Sequence, residues 1–250
     1  MNSNPIPAAP SSRVQRVRHE IKRRDVHVVR VDNISPHFRR VTFAGEALAD
    51  FCSASFDDHV KFILNAGGAD QVMRDYTPRR FDRAARELTI EFALHGDGPA
   101  ANWSASVRPG QRAAIAGPRG SFIIPLDYDW HLLVGDETAL PAITRRLEEL
   151  PAGAQAIVLI QACDPEDRRD FASAATATVQ WVSHSDQMVE AVRALDLPAG
   201  EGYAWCAAEA RVAAELRRIL VDEKGHDRHA IRAAAYWKKG AVAHHENLEA

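Results

Sequence analysis

Cysteine is scarce and scattered: Cys52, Cys163 and Cys206 are the only three, and no two of them form a CxxC pair. That argues against a disulfide framework and fits a reducing compartment. It equally argues against a cysteine-held iron–sulfur cluster or structural zinc. Long apolar runs are missing too. None approaches the roughly 20 residues of a membrane span, so no membrane partner is expected and the chain reads as cytoplasmic. Met1 to Ser12 is rich in Pro, Ala, Ser and Asn and lacks the apolar centre of a signal peptide. Neither sign of charge dominates, and a net charge of −3 gives nucleic acid no bulk electrostatic handle. No Ser–His–Asp arrangement can be assembled, so no residue is assigned a catalytic role. His244-His245-Glu246 does not make a metal site either, because paired neighbours near a chain end do not face one way.

What is present divides into two patterns. Residues 1–17 read as a disordered, basic N-terminal tail. From 18 to 127 the pattern is β. Val26 to Val31 and Phe38 to Phe43 flank the turn signal Asn33-Ile34-Ser35-Pro36. Leu88, Ile90, Phe92 and Leu94 alternate with Thr89, Glu91 and Ala93, as in a half-buried antiparallel strand. About six short strands punctuated by Gly and Pro predict an antiparallel six-stranded β-barrel. From 128 to 250 short apolar runs (His131 to Gly135, Ala156 to Ile160, Val179 to Val182, Tyr203 to Ala207, Ala230 to Trp237) alternate with helical segments. That predicts a parallel α/β sandwich of the nucleotide-binding kind.

Three segments carry chemistry. Arg74-Asp75-Tyr76-Thr77-Pro78-Arg79 follows an apolar strand and places a cation, an aromatic ring and a hydroxyl within reach of one ligand. Side chains alternate on an extended segment, so Arg74 and Tyr76 share a face, with Thr77 and Arg79 on the other or at the turn. The set suits a flavin, which needs a phosphate clamp, a stacking plane and a neutral donor; it also suits an ordinary strand end with solvated arginines. His95-Gly96-Asp97-Gly98-Pro99-Ala100-Ala101-Asn102-Trp103 has glycines for a tight turn and a proline for a helix start. The free N–H groups of Gly98, Ala100, Ala101 and Asn102 would form an anion site at a helix N-terminus; a Gly-rich surface turn is the alternative. Gly135-Asp136-Glu137-Thr138-Ala139-Leu140-Pro141-Ala142 lies where a parallel strand meets its helix, in the crevice where α/β sheets bind nucleotides. It is not a GxGxxG, and two carboxylates would repel a phosphate, so a neutral ring fits better there.

In this order, and with Gly117-Pro118-Arg119-Gly120 and Tyr236-Trp237-Lys238-Lys239-Gly240, these motifs resemble the siderophore-interacting protein family, FAD-dependent ferric-siderophore reductases related to ferredoxin reductases. The resemblance spans about Arg18 to Glu246. It implies FAD bound by Arg74, Tyr76, Thr77 and Arg79, by His95, Gly96, Asp97, Gly98, Ala100, Ala101 and Trp103, and by Asp136 and Thr138. Arg74 would pair with the phosphate, Tyr76 would stack on the isoalloxazine, and Thr77 would hydrogen-bond near the reactive N5. Two departures stand out. Ala101 occupies a position where relatives often carry serine, and Lys238 and Lys239 replace arginines, keeping charge but losing the bidentate fork.

The implied donor is NADPH or NADH, with reduced ferredoxin as an alternative. Arg168 and Arg169, after the second parallel strand, tilt the reading toward NADPH. The implied acceptor is an anionic ferric siderophore, for which Lys61, Lys238 and Lys239 are the candidate basic residues. A monomer is expected. A diaphorase serving a protein acceptor, or a binding carrier without turnover, are the other functions these residues allow.

Overall fold

The computed structural model describes residues 13–94, 98–241 and 246–247. Its first strand, β1 (Gln15–Arg18), overlaps the segment expected to be a tail and pairs antiparallel with β9 (Gly120–Ile123). The arginines of this region are not simply solvated. Arg13 pairs with Glu201 at 2.7 Å and with Asp127, and Arg24 is buried against Asp50 at 3.0 Å.

Seven strands, one more than the six expected, make the N-terminal sheet. They are β2 (Arg23–Ser35), β3 (Phe38–Ala44), β4 (Val60–Leu64), β5 (Val72–Tyr76), β6 (Arg80–Asp82), β7 (Glu87–Ala93) and β8 (Arg112–Ala116), in the order β5-β4-β8-β2-β3-β7-β6. The extra strand, β6, has three residues, too few to show a period of two. Consecutive strands β5 and β6 lie at opposite edges, so the sheet must roll up for Thr77-Pro78-Arg79 to join them. The Arg79 N–H donates to the Thr89 carbonyl at 2.9 Å, and the Tyr76 ring lies 4.4 Å from that of Phe92 on β7. Inside, Val26, Phe43, Phe62, Leu88, Ile90 and Ile115 are buried. The short helix α1 (Pro99–Ser106) packs its Trp103 onto them.

The second half is a sheet ordered β12-β11-β10-β13-β14-β15. Strands β10 (Trp130–Gly135), β11 (Gln155–Gln161), β12 (Thr176–Val182), β13 (Gly202–Glu209) and β14 (Ile231–Trp237) are parallel, and β15 (Glu246–Asn247) is antiparallel to β14. The central strands β10 and β13 are buried almost end to end, as expected of a sheet covered on both faces. Helices α2 (Leu140–Glu149), α3 (Ser185–Ala194) and α4 (Ala210–Arg218) cover it, and a π turn, Ile219–Glu223, extends the last. Strand order reverses around β10, which opens a crevice at the carboxyl ends of the strands. Gly135 ends β10 because a side chain has no room there: a Cβ would lie 2.4 Å from Cβ of Ala139 and 2.8 Å from the Ala207 carbonyl.

Helix α2 is buried on nearly every side because it is wedged between the two sheets. Arg145 donates to Ser53 Oγ at 2.7 Å and to the Pro78 carbonyl at 3.0 Å. Arg146 donates to the carbonyls of Ile124 and Pro125. Phe38 and Phe56 join Leu140, Tyr203 and Trp205 in one apolar core, with the Phe56 and Trp205 rings 5.3 Å apart. Burying each such ring contributes about 1.5–3 kcal/mol, so the barrel and the α/β layer are one packed body. No helix among the described residues is long and apolar enough to cross a membrane.

Candidate functional site

A cavity of about 210 Å³ opens between the rolled sheet and the α/β layer. Strand β5 supplies Arg74, Asp75 and Tyr76, and the linker after it supplies Thr77. Phe38, Glu91 and Ala93 line it from β3 and β7, while Gly98, Ala100 and Ala101 line it from the start of α1. Across the gap stand Glu137, Thr138 and Pro141, from the turn after β10, and Tyr236 of β14. Seven of the residues assigned to the cofactor from the sequence thus meet at one cavity: Arg74, Tyr76, Thr77, Gly98, Ala100, Ala101 and Thr138.

The chemistry of that wall fits a flavin dinucleotide. Helix α1 begins with Pro99 at its first position and has no side-chain cap among the described residues, so the N–H groups of Ala100 and Ala101 remain available for an anion. The Asn102 N–H does not, because it donates to the Gly98 carbonyl at 2.9 Å. A Cβ at Gly98 would meet nothing within 4 Å, so the helix N-terminus is open to the cavity. Arg74 has no carboxylate partner among the described residues; its one internal bond is to the Met73 carbonyl. Tyr76 is packed against Phe92, and burial pushes its phenol well above the ordinary value, so the ring serves as a neutral plane.

Other expected ligands do something else. Arg79 is turned away from the cavity: its guanidinium is bidentate to Glu148, at 2.8 and 2.5 Å, and lies 3.4 Å from Glu91. Trp103 belongs to the barrel core, its ring 4.6 Å from Phe62 and stacked at 13° on Phe43. Asp136 is buried scaffolding. Its carboxylate takes the N–H and hydroxyl of Thr138, the indole N–H of Trp237 at 2.8 Å and the Glu209 N–H at 3.1 Å. Burial raises its pKa even against the donors from Thr138 and Trp237. It therefore shapes the turn that presents Thr138. His95, Gly96 and Asp97 lie outside the described residues, as do His244 and His245, whereas Glu246 sits in β15.

The basic candidates are dispersed in role. Lys61 is paired with Asp75, directly opposite it on β5, at 2.7 Å. Lys238 and Lys239 follow β14 in an exposed turn, where the Lys239 N–H donates to Glu209 at 3.3 Å. Arg169 is not available to a nucleotide phosphate: it pairs with Glu91 at 2.9 Å and covers the Phe38 ring at 4.7 Å. Arg168 beside it is exposed.

Glu91 and Tyr236 are among the cavity residues that the sequence reading leaves unassigned. The alternation of its strand predicts Glu91 on the polar face, yet its side chain is wholly buried among Arg40, Arg79 and Arg169. Tyr236, part of the terminal motif, lines the cavity and reaches Asp57. A tyrosine two residues before a lysine pair at a strand end was the available signal, but nothing local pointed to its partners.

Comparison with known proteins agrees with this geometry. Residues 27–72 and 65–122 match the siderophore-interacting FAD-binding domain, and residues 128–240 match the siderophore-interacting protein model. An NADPH-dependent ferric-chelate reductase of Escherichia coli is 36% identical over 89% of this chain and 96% of its own. A ferric vibriobactin reductase of Vibrio cholerae is 30% identical, over 87% and 91%. The crystal structure of a siderophore utilization protein from T. fusca superposes with a TM-score of 0.86 at 31% identity, covering 93% of this chain and 98% of that one. With both halves of the chain matched in this way, the protein belongs to the siderophore-interacting protein family.

Proposed function

We propose that this chain is a flavin-dependent reductase of ferric siderophores, taking electrons from NADPH and releasing iron as Fe(II) in the cytoplasm, as a monomer. The observation that carries the reading is the single cavity faced by Arg74, Tyr76 and Thr77 on one side and the uncapped N-terminus of α1 on another. Bound FAD would supply the conversion of a two-electron donor into single-electron deliveries, so one NADPH serves two ferric centres. Arg74 and the N–H groups of Ala100 and Ala101 hold the diphosphate. Tyr76 holds the ring plane, and Thr138 and Pro141 wall the face opposite the barrel. Hard oxygen donors bind Fe(II) far less tightly than Fe(III), so reduction loosens the chelate. Lys238 and Lys239, exposed beyond β14, are the cations we assign to an anionic chelate; Lys61, tied to Asp75, contributes by orienting that carboxylate.

Purified protein should acquire flavin absorbance with FAD, bleach with NADPH under anaerobic conditions and recover its colour on adding a ferric siderophore. Flavin that stays reduced with every ferric chelate tried would overturn the reductase reading and leave a carrier. Arg74→Ala should weaken FAD binding about tenfold to a hundredfold, the worth of one charge-assisted hydrogen bond. A fluorescence titration of the apoprotein measures this, with far-UV circular dichroism confirming the fold.

A further inference from the structure

Helix α2 meets the cavity on one side and holds segments that wall it from the other. Pro141, in its first turn, lines the cavity from the α/β layer. Arg145 and Glu148 follow on the same face of the helix, one and two turns further on. There Glu148 takes the Arg79 guanidinium, and Arg145 Nη1 donates to the Pro78 carbonyl at 3.0 Å. Thr77, the residue before Pro78, lines the cavity from the barrel side.

Arg145 grips a second segment as well. Its Nη1 also donates to Ser53 Oγ at 2.7 Å, and its Nη2 donates to the Ser53 carbonyl at 3.0 Å. Ser53 Oγ in turn donates to Asp58 Oδ2 at 2.8 Å, and His59, beside Asp58, is another cavity residue. The last nitrogen, Nε, donates to Glu149 at 2.7 Å. Arg145 is buried with all three nitrogens engaged, so its planar fork fixes Pro78 and Ser53 relative to α2. Arg146, also buried and next in sequence, binds elsewhere: it holds the carbonyls of Ile124 and Pro125, which are not cavity residues.

We propose that Arg145 is a positioning residue for hydride transfer, because it fixes the gap between the two cavity walls in which the flavin and nicotinamide rings must meet. The inference rests on the FAD and NADPH reading above. In that step the C4–H bond of the reduced nicotinamide breaks, its hydrogen and both bonding electrons pass to N5 of the flavin, and NADP+ leaves. A nucleus is transferred, so the reacting atoms must approach to about 3–3.5 Å, and a misplacement of about 1 Å costs on the order of a hundredfold. Passing single electrons from reduced flavin to Fe(III) carries no nucleus across and tolerates such a change far better. Loosening the grip of Arg145 should therefore separate the two half-reactions.

The test uses FAD-saturated protein in anaerobic stopped flow. Arg145→Lys keeps the charge but not the fork, so it can hold Pro78 or Ser53 and not both. Bleaching by saturating NADPH should slow by about tenfold to a hundredfold, while photoreduced protein should reoxidise with ferric citrate at the wild-type rate. The visible circular dichroism of bound oxidised FAD should change too, because the walls around the ring have shifted. Arg146→Lys removes a buried guanidinium from the same helix and should leave both rates and that spectrum as in wild type. If Arg145→Lys does not fold, Ser53→Ala, which deletes only the hydroxyl, should slow bleaching in the same selective way. Equal slowing of both half-reactions, equal slowing of bleaching by the two lysine variants, or unchanged bleaching overturns the proposal. Wild-type protein that binds no FAD, or binds it and is not bleached by NADPH, would instead overturn the reading on which the proposal rests.

Discussion

Replacing Glu91 with alanine should destabilise the protein by about 3–5 kcal/mol, the range for stripping the partner from a buried charge. The Glu91 carboxylate has no exposed surface and gathers three guanidiniums: Arg40 at 2.7 Å, Arg169 at 2.9 Å and Arg79 at 3.4 Å. Arg79 would keep Glu148 and Arg40 could turn to solvent, but Arg169 would keep no acid. Burial already lowers the Arg169 pKa against the pull of Glu91, and two of its nitrogens have no hydrogen-bond partner even now. Because Arg169 belongs to the loop after β11 and Glu91 to β7, the loss falls on the junction between barrel and α/β layer. The midpoint of urea unfolding should drop with little change in slope, and FAD affinity should fall with it, since Glu91 also lines the cavity. A loss below about 1 kcal/mol would mean that water replaces the carboxylate at this junction.

Acid should weaken the fold through His131 well before the carboxylates titrate. This side chain is buried; burial first, and then the neighbouring Arg146, lower its pKa from 6.5 to about 4. Arg146 donates to Nδ1 at 3.4 Å and the Leu126 carbonyl lies 3.3 Å from Nε2, which assigns the hydrogen to Nε2 and leaves no place for a second one. With the folded value below the unfolded one, the unfolded chain binds a proton that the native state refuses. The contribution of His131 is therefore complete above about pH 6.5 and declines as pH falls toward 4. The decline is about 1.4 kcal/mol per unit, or roughly 2 kcal/mol between pH 7.5 and 5. Urea unfolding of wild type and His131→Gln at those two pH values measures it. Glutamine can donate to Leu126 and accept from Arg146 without titrating, so the variant should lose less stability than wild type over the same interval. Parallel losses in the two proteins would assign the acid sensitivity elsewhere.

The parts of this molecule that were legible in its sequence are those governed by neighbours a few residues away. Alternation in Leu88 to Leu94, continuous apolarity in Ala156 to Ile160 and the Gly/Pro punctuation between them name strands and their order. The start of α1 was readable because Pro99 and two small residues decide it locally. What escaped was set by distant partners. Arg79 looked like a ligand from the five residues before it, but Glu148, sixty-nine positions away, holds it. Trp103 ends a ligand-like turn, yet helical rotation carries it into the barrel. Strand β1 is four exposed residues with no periodic signal; only its pairing with Gly120–Ile123 makes it a strand. Asp57 and Tyr236 are 179 positions apart, and no local pattern could have joined them.

That pairing of β1 with β9 has a consequence for the order of events during synthesis. Gln15 faces Ile123, and Arg23 on β2 faces Ala116 on β8. Both partners lie about a hundred residues downstream, so at about 5–20 residues per second the first strands wait on the order of 5–20 seconds for them. Over that interval the emerging β2, β3 and β4 can build hairpin contacts, but the rolled sheet has no seam to close. Arg145 and Arg146, which seat α2 against the barrel, emerge later still. A nascent chain arrested before residue 116 should thus be open to protease in its amino-terminal segment, and the ties of the barrel to Arg169, Glu201 and Arg232 form only once the α/β layer has emerged.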